Sequence, residues 1–254
     1  MITSYLILSD VQYPFHNKRA VKNFIRFLGD YQPSELVGIG DLMDYPQPSR
    51  WNKGSKGEFE GSVIKDSDNA KRDILAPIRE VYDGPFGILE SNHGIRPEEY
   101  MRKNAPALAD TDWFKESKLL DYDGFGIKDL GKFYDLPGKW TATHGHLGFS
   151  LSRYGGGTAI NAAKKIGRSV VCGHTHRMGL VPSSHGYGGK STQELWGFEV
   201  GHLMQVSAAA YLKHGWGDWQ SGFGILKWDG KTMNVEPVRV RDNGSFTFDG
   251  VEYK

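Results

Sequence analysis

Ten side chains able to bind a metal or carry a proton stand in five short clusters along a chain of 254 residues. They are Asp10 and Gln12 in "SDVQ", Asp41 and Asp44 in "GIGDLMD", Asn92 and His93 in "ESNHG", His144 and His146 in "THGH", and His174 and His176 in "CGHTH". Carboxylate, amide and imidazole are ligand types for borderline divalent cations, and an imidazole can also pass a proton near neutral pH. One histidine after a strand is an ordinary loop residue, and one GD or NH pair carries no message. Five clusters in succession carry more, because each directly follows a short apolar run. The set exceeds what one tetrahedral site uses and suits two cations sharing a bridging carboxylate. Asp41 is the best candidate for the bridge, since the preceding "GIG" lets backbones approach closely and Asp41 lies centrally in the ligand order.

The elements that must position these groups are legible in the hydrophobic pattern. Strands are predicted at residues 4–8, 36–39, 85–89, 140–143 and 169–172. Between the first two, Asn17 can cap a helix that buries Ala20, Phe24, Phe27 and Leu28 and can end at Gly29. A second helix is predicted from about 67 to 82, kinked by Pro77, and a third from 158 to 166, closed by Gly167. Such alternation specifies parallel or mixed sheets, whose strand ends converge on one crevice. From Met178 onward, runs such as "GFGILKW" and "SFTFDGVEY" predict antiparallel strands joined by "DG" and "NG" turns. The expected organisation is one domain over 1–254, with the C-terminal hairpins at 195–254 completing the second sheet. The polar, Pro- and Gly-rich segment at about 45–62 is long for a connection and reads as a lid or substrate loop.

Composition narrows the function classes. A formal net charge of +1 with 24% charged residues creates no global field for nucleic acid or membrane, so polyanion binding must be local. No Asp or Glu occurs between Leu136 and Gln193, a stretch holding Lys139, Arg153, Lys164, Lys165, Arg168, Arg177 and Lys190. That stretch either lines an anion site or forms a solvated basic face. The single Cys172 excludes an internal disulfide, and its "SVVC" setting reads as an inert core thiol. The N-terminal apolar run is too short for a signal or a membrane span, so a soluble cytoplasmic protein that binds no membrane is expected.

The order of the five clusters resembles the signature of the calcineurin-like metallophosphoesterases (D-x-H, G-D-x-x-D, G-N-H-D/E, H and G-H-x-H) from Ser9 to Arg177. "SRW" after the second motif, "NHGIR", "NAPAL" and a late "W..GFGIL" are similar to stand-alone members carried by bacteriophages, which would place the protein in the host cytoplasm. The resemblance implies a four-layer α/β/β/α sandwich of two mixed sheets flanked by helices. It also implies two divalent cations, one held by Asp10, Gln12, Asp41 and His176 and the other by Asp41, Asn92, His144 and His174. His93 would then protonate the leaving oxygen or steady the phosphate while a bridging hydroxide attacks phosphorus in line.

The chain departs from that pattern at three points. Gln12 replaces an imidazole with a neutral amide, from which a bias toward Mn²⁺ over Fe, Zn²⁺ or Ni²⁺ and a more labile first cation are expected. Ser91 stands at a family glycine. Gly94 replaces the acidic residue that usually orients the catalytic histidine, so either another carboxylate, Glu90 or one from the lid, holds His93, or turnover is slowed. Arg96 and Arg50 are candidates for phosphate contacts, with structural ion pairs as the competing reading. His16 and His146 are candidate substrate contacts, the first also readable as a surface histidine and the second as a support behind the ligands. "YGGGT", at 154–158, offers helix-start amides to an anion or is a plain turn. Trp51 in the lid could stack on a base. The expected function is a metal-dependent phosphodiesterase on a nucleotide, cyclic ones included, or on short nucleic acid. A phosphomonoesterase, a nuclease, and a catalytically weakened scaffold are the alternatives. "GDLMDYP" lacks the arginine of the protein-phosphatase branch, and a homodimer is compatible with exposed C-terminal hairpins.

Overall fold

The computed structural model describes residues 2–208 and 217–254. His214, which matches no motif and is expected to be an ordinary residue, lies outside them.

Each predicted strand forms within a residue or two of its expected bounds. They are β1 (Thr3–Leu8), β2 (Glu35–Gly38), β3 (Phe86–Ile88), β6 (Trp140–Ala142) and β7 (Ser169–Cys172), joined by two short strands, β4 (Ile127–Asp129) and β5 (Tyr134–Leu136). The C-terminal part adds β8 (Met178–Tyr187), β9 (Lys190–Val200), β10 (Gly222–Trp228), β11 (Met233–Arg239), β12 (Phe246–Phe248) and β13 (Val251–Tyr253). One mixed sheet has the order β11-β10-β1-β2-β3-β4 and the other β5-β6-β7-β9-β8.

Alternation along the strands explains why they read as continuous apolar runs. In β1, Leu6 and Leu8 face one core with Leu36, while Tyr5 and Ile7 face another with Val37 and Ile39. The second core also takes Ala142, Val171, Phe198 and Val200 from the other sheet, so it is the layer between the two sheets. Strands covered on both faces lose the polar alternation of a half-exposed sheet. The outer faces are covered by helices. Phe24, Phe27 and Leu28 of α1 (Lys18–Tyr31) pack on the first sheet, and Ala159, Ile160 and Ala163 of α7 (Gly157–Ile166) pack on Val170 and Cys172 of the second. The four-layer α/β/β/α sandwich is therefore the observed fold class.

Helix ends follow local chemistry. Asn17 caps α1, its Oδ1 accepting from the Ala20 amide at 3.1 Å, but the helix runs past Gly29 and stops at Gln32 in the left-handed region. The predicted second helix is one helical run made of α3 (Val63–Ala70), a π-turn (Lys71–Leu75) and α4 (Ala76–Val81). Pro77 has no amide hydrogen and crowds the preceding turn, and the widened π-turn before it accommodates that without breaking the helix. Gly167 closes α7 at φ 72°, as its spacing predicts.

The C-terminal hairpins depart from expectation. The β10–β11 pair joins the first sheet, β10 lying antiparallel to β1, and β12–β13 forms a separate two-stranded ribbon. The cause is aromatic. Phe246, Phe248 and Tyr253 close around Phe27 with ring centroids 5.0–5.7 Å apart, and Phe223 of β10 joins the same cluster. Only the β8–β9 hairpin belongs to the second sheet. The Asp249–Gly250 turn of the last hairpin has positive φ at both residues, as a "DG" turn requires.

Candidate metal centre and substrate groove

The five clusters meet where strands of both sheets end. Five of their residues, Asp10, Gln12, Asp41, His174 and His176, adopt positive φ between 50° and 68° without being glycine. Such backbone costs on the order of 1–3 kcal/mol per residue and persists where the surroundings over-determine it. Here the surroundings are interlocked loops. The Gly40 carbonyl accepts from the Asp10 amide at 3.1 Å, the Asp41 carbonyl accepts from Gln12 at 2.9 Å, and the Asp10 side chain accepts from the His174 amide at 3.0 Å. A Cβ on Gly40, at φ 103°, would lie 2.6 Å from Ser91 Cβ and 2.8 Å from His144 Nδ1. Glycine there lets three of the clusters close up, which gives "GIG" its purpose. A Cβ on Gly173 would strike Ser9 and Asp10 in the same way, and the Ser9 hydroxyl donates to Asp10 Oδ2.

Two ligand sets form around the buried Asp41. His144 Nε2 lies 3.3 Å from Asp41 Oδ2 and 2.9 Å from Asn92 Oδ1, while its Nδ1 is held by the Ile39 carbonyl at 2.9 Å. That hydrogen bond fixes Nδ1 as the donor and leaves Nε2 for a cation. Ligand atoms of Asp41, His144 and His174 fall within 4.8 Å of one another, the spacing of groups around one ion. On the other side, Asp10 Oδ1 lies 3.2 Å from His176 Nε2, yet is buried without a hydrogen-bond partner. An orphaned buried carboxylate oxygen facing an imidazole nitrogen is what two ligands of one cation look like. The residues present therefore fit a divalent cation at Asp41, His144 and His174, with Asp10 and His176 as a facing pair of ligand type in the same site. Gln12 turns its amide nitrogen toward Asp41 Oδ2 at 3.0 Å, so ligation by its oxygen requires the amide to rotate.

The charges reinforce this arrangement. Burial opposes ionisation of Asp41, but the facing His144 and His93 hold its carboxyl well below the ordinary range. Burial works against a charged His144 too, and Asp41 overcomes it, raising that imidazole to about 9. Burial and neighbouring His144 depress both His174 and His146, the latter to about 4. A cation arriving here displaces one proton and meets neutral imidazoles.

Asp44 is not with the ligands. Its Oδ1 lies 2.9 Å from His93 Nδ1, and the His93 amide donates to Asp41 Oδ1 at 3.1 Å. Arg96 donates from Nη1 to the Asp44 carbonyl at 2.6 Å and lies 2.9 Å through Nη2 from His93 Nε2. The carboxylate that orients His93 thus comes from the second cluster. Glu90, expected in that role, faces Lys132 at 3.6 Å instead. The vacant side-chain position at Gly94 also has a tenant, because a Cβ there would run into Glu116 Oε2. Glu116 belongs to α6 (Glu116–Leu119) and its Oε1 is buried without a partner. Burial, aided by the charge of Asp41, pushes its carboxyl up to about 8. No motif points to Glu116, since only the fold brings it behind Gly94.

Several expectations are corrected. His16 does not face the centre: it is bridged to Met204, stacks on Tyr13 at 4.9 Å, and lines a different cavity with Lys18 and Asp73. The chain turns here, the Phe15 amide donating to the Gln12 carbonyl at 2.6 Å, and Phe15 lines the cavity beside His93 while His16 lines the other one. The start of α7 is not open to an external anion in the way expected, because the buried carboxylate of Glu199 in β9 lies close to Gly156 and Thr158, and it accepts from the Thr175 hydroxyl at 2.6 Å. The acid-free stretch contributes His146 and His174 to the site cavity and none of its lysines or arginines. Cys172 is a buried free thiol that burial keeps protonated, as read from "SVVC".

The segment at about 45–62, expected as a lid, packs against α5 (Arg96–Asn104). Tyr100 donates to Glu58 Oε1 at 2.8 Å, Lys53 Nζ reaches Asn104 Oδ1 at 3.4 Å, and the short helix α2 (Lys56–Phe59) lies within the lid. Two cavities open beneath it. One, of about 530 Å³, is lined by Phe15, Pro46, Trp51 and Met204 with Asp44, His93 and Arg96. The other, of about 610 Å³, holds Arg50, Lys53 and Lys103 and reaches Asn92, His146 and His174. His93, Arg96 and Trp51 line both. No helix among the described residues is long and apolar enough to cross a membrane.

No family model matches the chain. The "Gene 54 protein" of Mycobacterium phage D29 is 48% identical over 247 residues, covering 96% of each chain. The "Gene 54 protein" of Mycobacterium phage L5 is 46% identical over the same length and share. Among solved structures, Vps29 of Entamoeba histolytica complexed with Zn is 11% identical, with 98% of this chain and 96% of that one covered and a TM-score of 0.44. The phosphoesterase Yfce of E. coli is 14% identical, with 92% and 98% covered and a TM-score of 0.42.

Proposed function

The chain belongs to the mycobacteriophage gene 54 family and carries the ordered motifs of the calcineurin-like metallophosphoesterases on a two-sheet fold, and from this we propose that it is a metal-dependent phosphodiesterase acting on nucleotides in the host cytoplasm. The observation that carries the reading is the placement of the Asp44–His93–Arg96 chain directly beside the Asp41 ligand cluster, with His93 Nε2 3.7 Å from Asp41 Oδ2.

Bound divalent cations, with Mn²⁺ favoured by the amide of Gln12, would supply charge neutralisation and a water of lowered pKa. Asp10, Gln12, Asp41 and His176 would hold one, and Asp41, Asn92, His144 and His174 the other. The chain's own part is to bind the ester and to move a proton. Asp44 accepts from His93 Nδ1 and sets the ring so that Nε2 points at the cluster. Arg96 now occupies that nitrogen, and its planar guanidinium is suited to phosphate oxygens. A phosphate that draws Arg96 aside frees Nε2 to carry the proton given to the leaving oxygen.

The test is hydrolysis of bis-p-nitrophenyl phosphate and p-nitrophenyl phosphate with added Mn²⁺, comparing wild type with His93→Ala and Asp41→Asn. Faster diester than monoester cleavage, lost in both variants, is expected. Absence of metal-dependent turnover in the wild type would refute the enzyme.

A further inference from the structure

The two cavities under the lid differ in chemistry, and the difference bears on what flanks the scissile phosphate. One arm, of about 530 Å³, brings Phe15, Pro46, Trp51 and Met204 together beside Asp44, His93 and Arg96, so its apolar wall adjoins the proton-carrying chain. The other, of about 610 Å³, carries Arg50, Lys53, Arg96 and Lys103 against the single carboxylate of Glu99. Among the described residues none of Arg50, Lys53 and Lys103 takes part in an ion pair, so their charge is available to a ligand. Lys53 is held by the neutral Asn104, which places the ammonium without cancelling it. Trp51 divides the arms, 76% exposed, with the Arg50 guanidinium 4.7 Å from its ring centre. A large exposed indole capped by a guanidinium, on a lid pinned by the Tyr100–Glu58 hydrogen bond, is a stacking platform already in place.

Resting on the phosphodiesterase reading, we infer that the substrate is an extended nucleotide chain rather than a cyclic mononucleotide. It places a base against Trp51 in the apolar arm, the scissile phosphate at His93 and Arg96, and at least one further phosphate among Arg50, Lys53 and Lys103. A cyclic mononucleotide has one phosphate and one base, so it fills the apolar arm and leaves the basic arm unused. The basic arm is short, four cations long, and therefore suits a few nucleotides of single strand and not a duplex.

The experiment compares 5′-phosphorylated tetrathymidylate, 3′,5′-cyclic thymidine monophosphate and bis-p-nitrophenyl phosphate as substrates with Mn²⁺, for the wild type, Trp51→Ala and the double variant Lys53→Ala/Lys103→Ala. Binding is read separately, by anisotropy of 3′-labelled 5′-phosphorylated tetrathymidylate in EDTA, so it stays measurable without turnover. The expected results are kcat/KM at least about tenfold higher for the tetranucleotide than for the cyclic nucleotide, and a KM raised about tenfold in Trp51→Ala. The double variant is expected to bind more weakly with a shallower salt dependence. Equal or better use of the cyclic nucleotide, or tetranucleotide binding unchanged in both variants, overturns the inference while diester turnover leaves the phosphodiesterase reading standing. Lack of any Mn²⁺-dependent diester turnover removes that reading, and the anisotropy then decides alone whether the groove takes a short single strand.

Discussion

Asp44 Oδ1 sits 2.9 Å from His93 Nδ1, so the acidic partner of the candidate proton carrier comes from the loop after β2 and not from the position following the histidine. Asp44→Asn is therefore expected to lower kcat by about 10–100-fold with little change in metal content. Combined with His93→Ala it should cost nothing further, because the two act as one unit. Steady-state kinetics with metal analysis checks this, and an Asp44→Asn enzyme of full activity would contradict it.

Glu116 gives a pH dependence with a definite sign. Its carboxyl titrates near 8 in the fold, against an ordinary 4.5, so the folded state holds the proton more tightly. Stability from this group is complete below pH 4.5 and is lost as pH rises toward 8, a cost on the order of 3 kcal/mol at pH 7. Glu116→Gln keeps the shape without the ionisable proton and should flatten that slope. Urea denaturation in EDTA at pH 5 and pH 7.5 measures it, and parallel pH responses of the two proteins would count against the assignment.

Gly40→Ala should be among the most damaging single-carbon changes in the protein. The added methyl would meet Ser91 and His144 at 2.6–2.8 Å on a backbone at φ 103°. A loss of about 2–4 kcal/mol is expected, together with weaker cation binding because His144 is displaced. Thermal unfolding with and without Mn²⁺ separates the two effects: the metal-induced rise in Tm should shrink as well as the Tm itself.

Gln12→His restores an imidazole at the ligand position where the family motif has one and this chain has an amide. The variant should retain its more labile cation at least about tenfold more tightly, read by calorimetric titration of Zn²⁺ and Mn²⁺. Tight, stoichiometric Zn²⁺ in both sites of the wild type would contradict the expectation that Gln12 weakens one of them.

The strand ends and their order were legible in sequence because both depend on local signals: apolar runs of four or five residues, then a polar cluster. Asp10, Asp41, Asn92, His144, His174 and His176 meet as the order implies. What the sequence could not reveal depends on contacts between distant segments. Nothing near His93 announces that Asp44 rather than Glu90 orients it, and Glu116 is visible only through the volume that Gly94 leaves. His16 and Phe15 are adjacent in sequence, and only the bridge to Met204 decides which faces the groove. The placement of β10–β11 on the first sheet was equally hidden, since alternation specifies a strand without specifying its neighbour. The basic stretch from Leu136 to Gln193 left two readings open because charge counted along the chain says nothing of direction: Arg168, for example, turns to Asp135 at 3.3 Å.

The loops Asp10–Gln12 and His174–His176 repeat one device, two left-handed residues separated by one ordinary one, and each hangs from a different sheet. Cations held between them would act as a cross-link through the middle of the sandwich, and ligand affinity would become a gauge of how the halves fit. Phe198 is a part of that fit, its ring lying in the space a Cβ on Gly224 would need. Trimming such a residue, itself no ligand, should register as looser metal before it registers as lost fold.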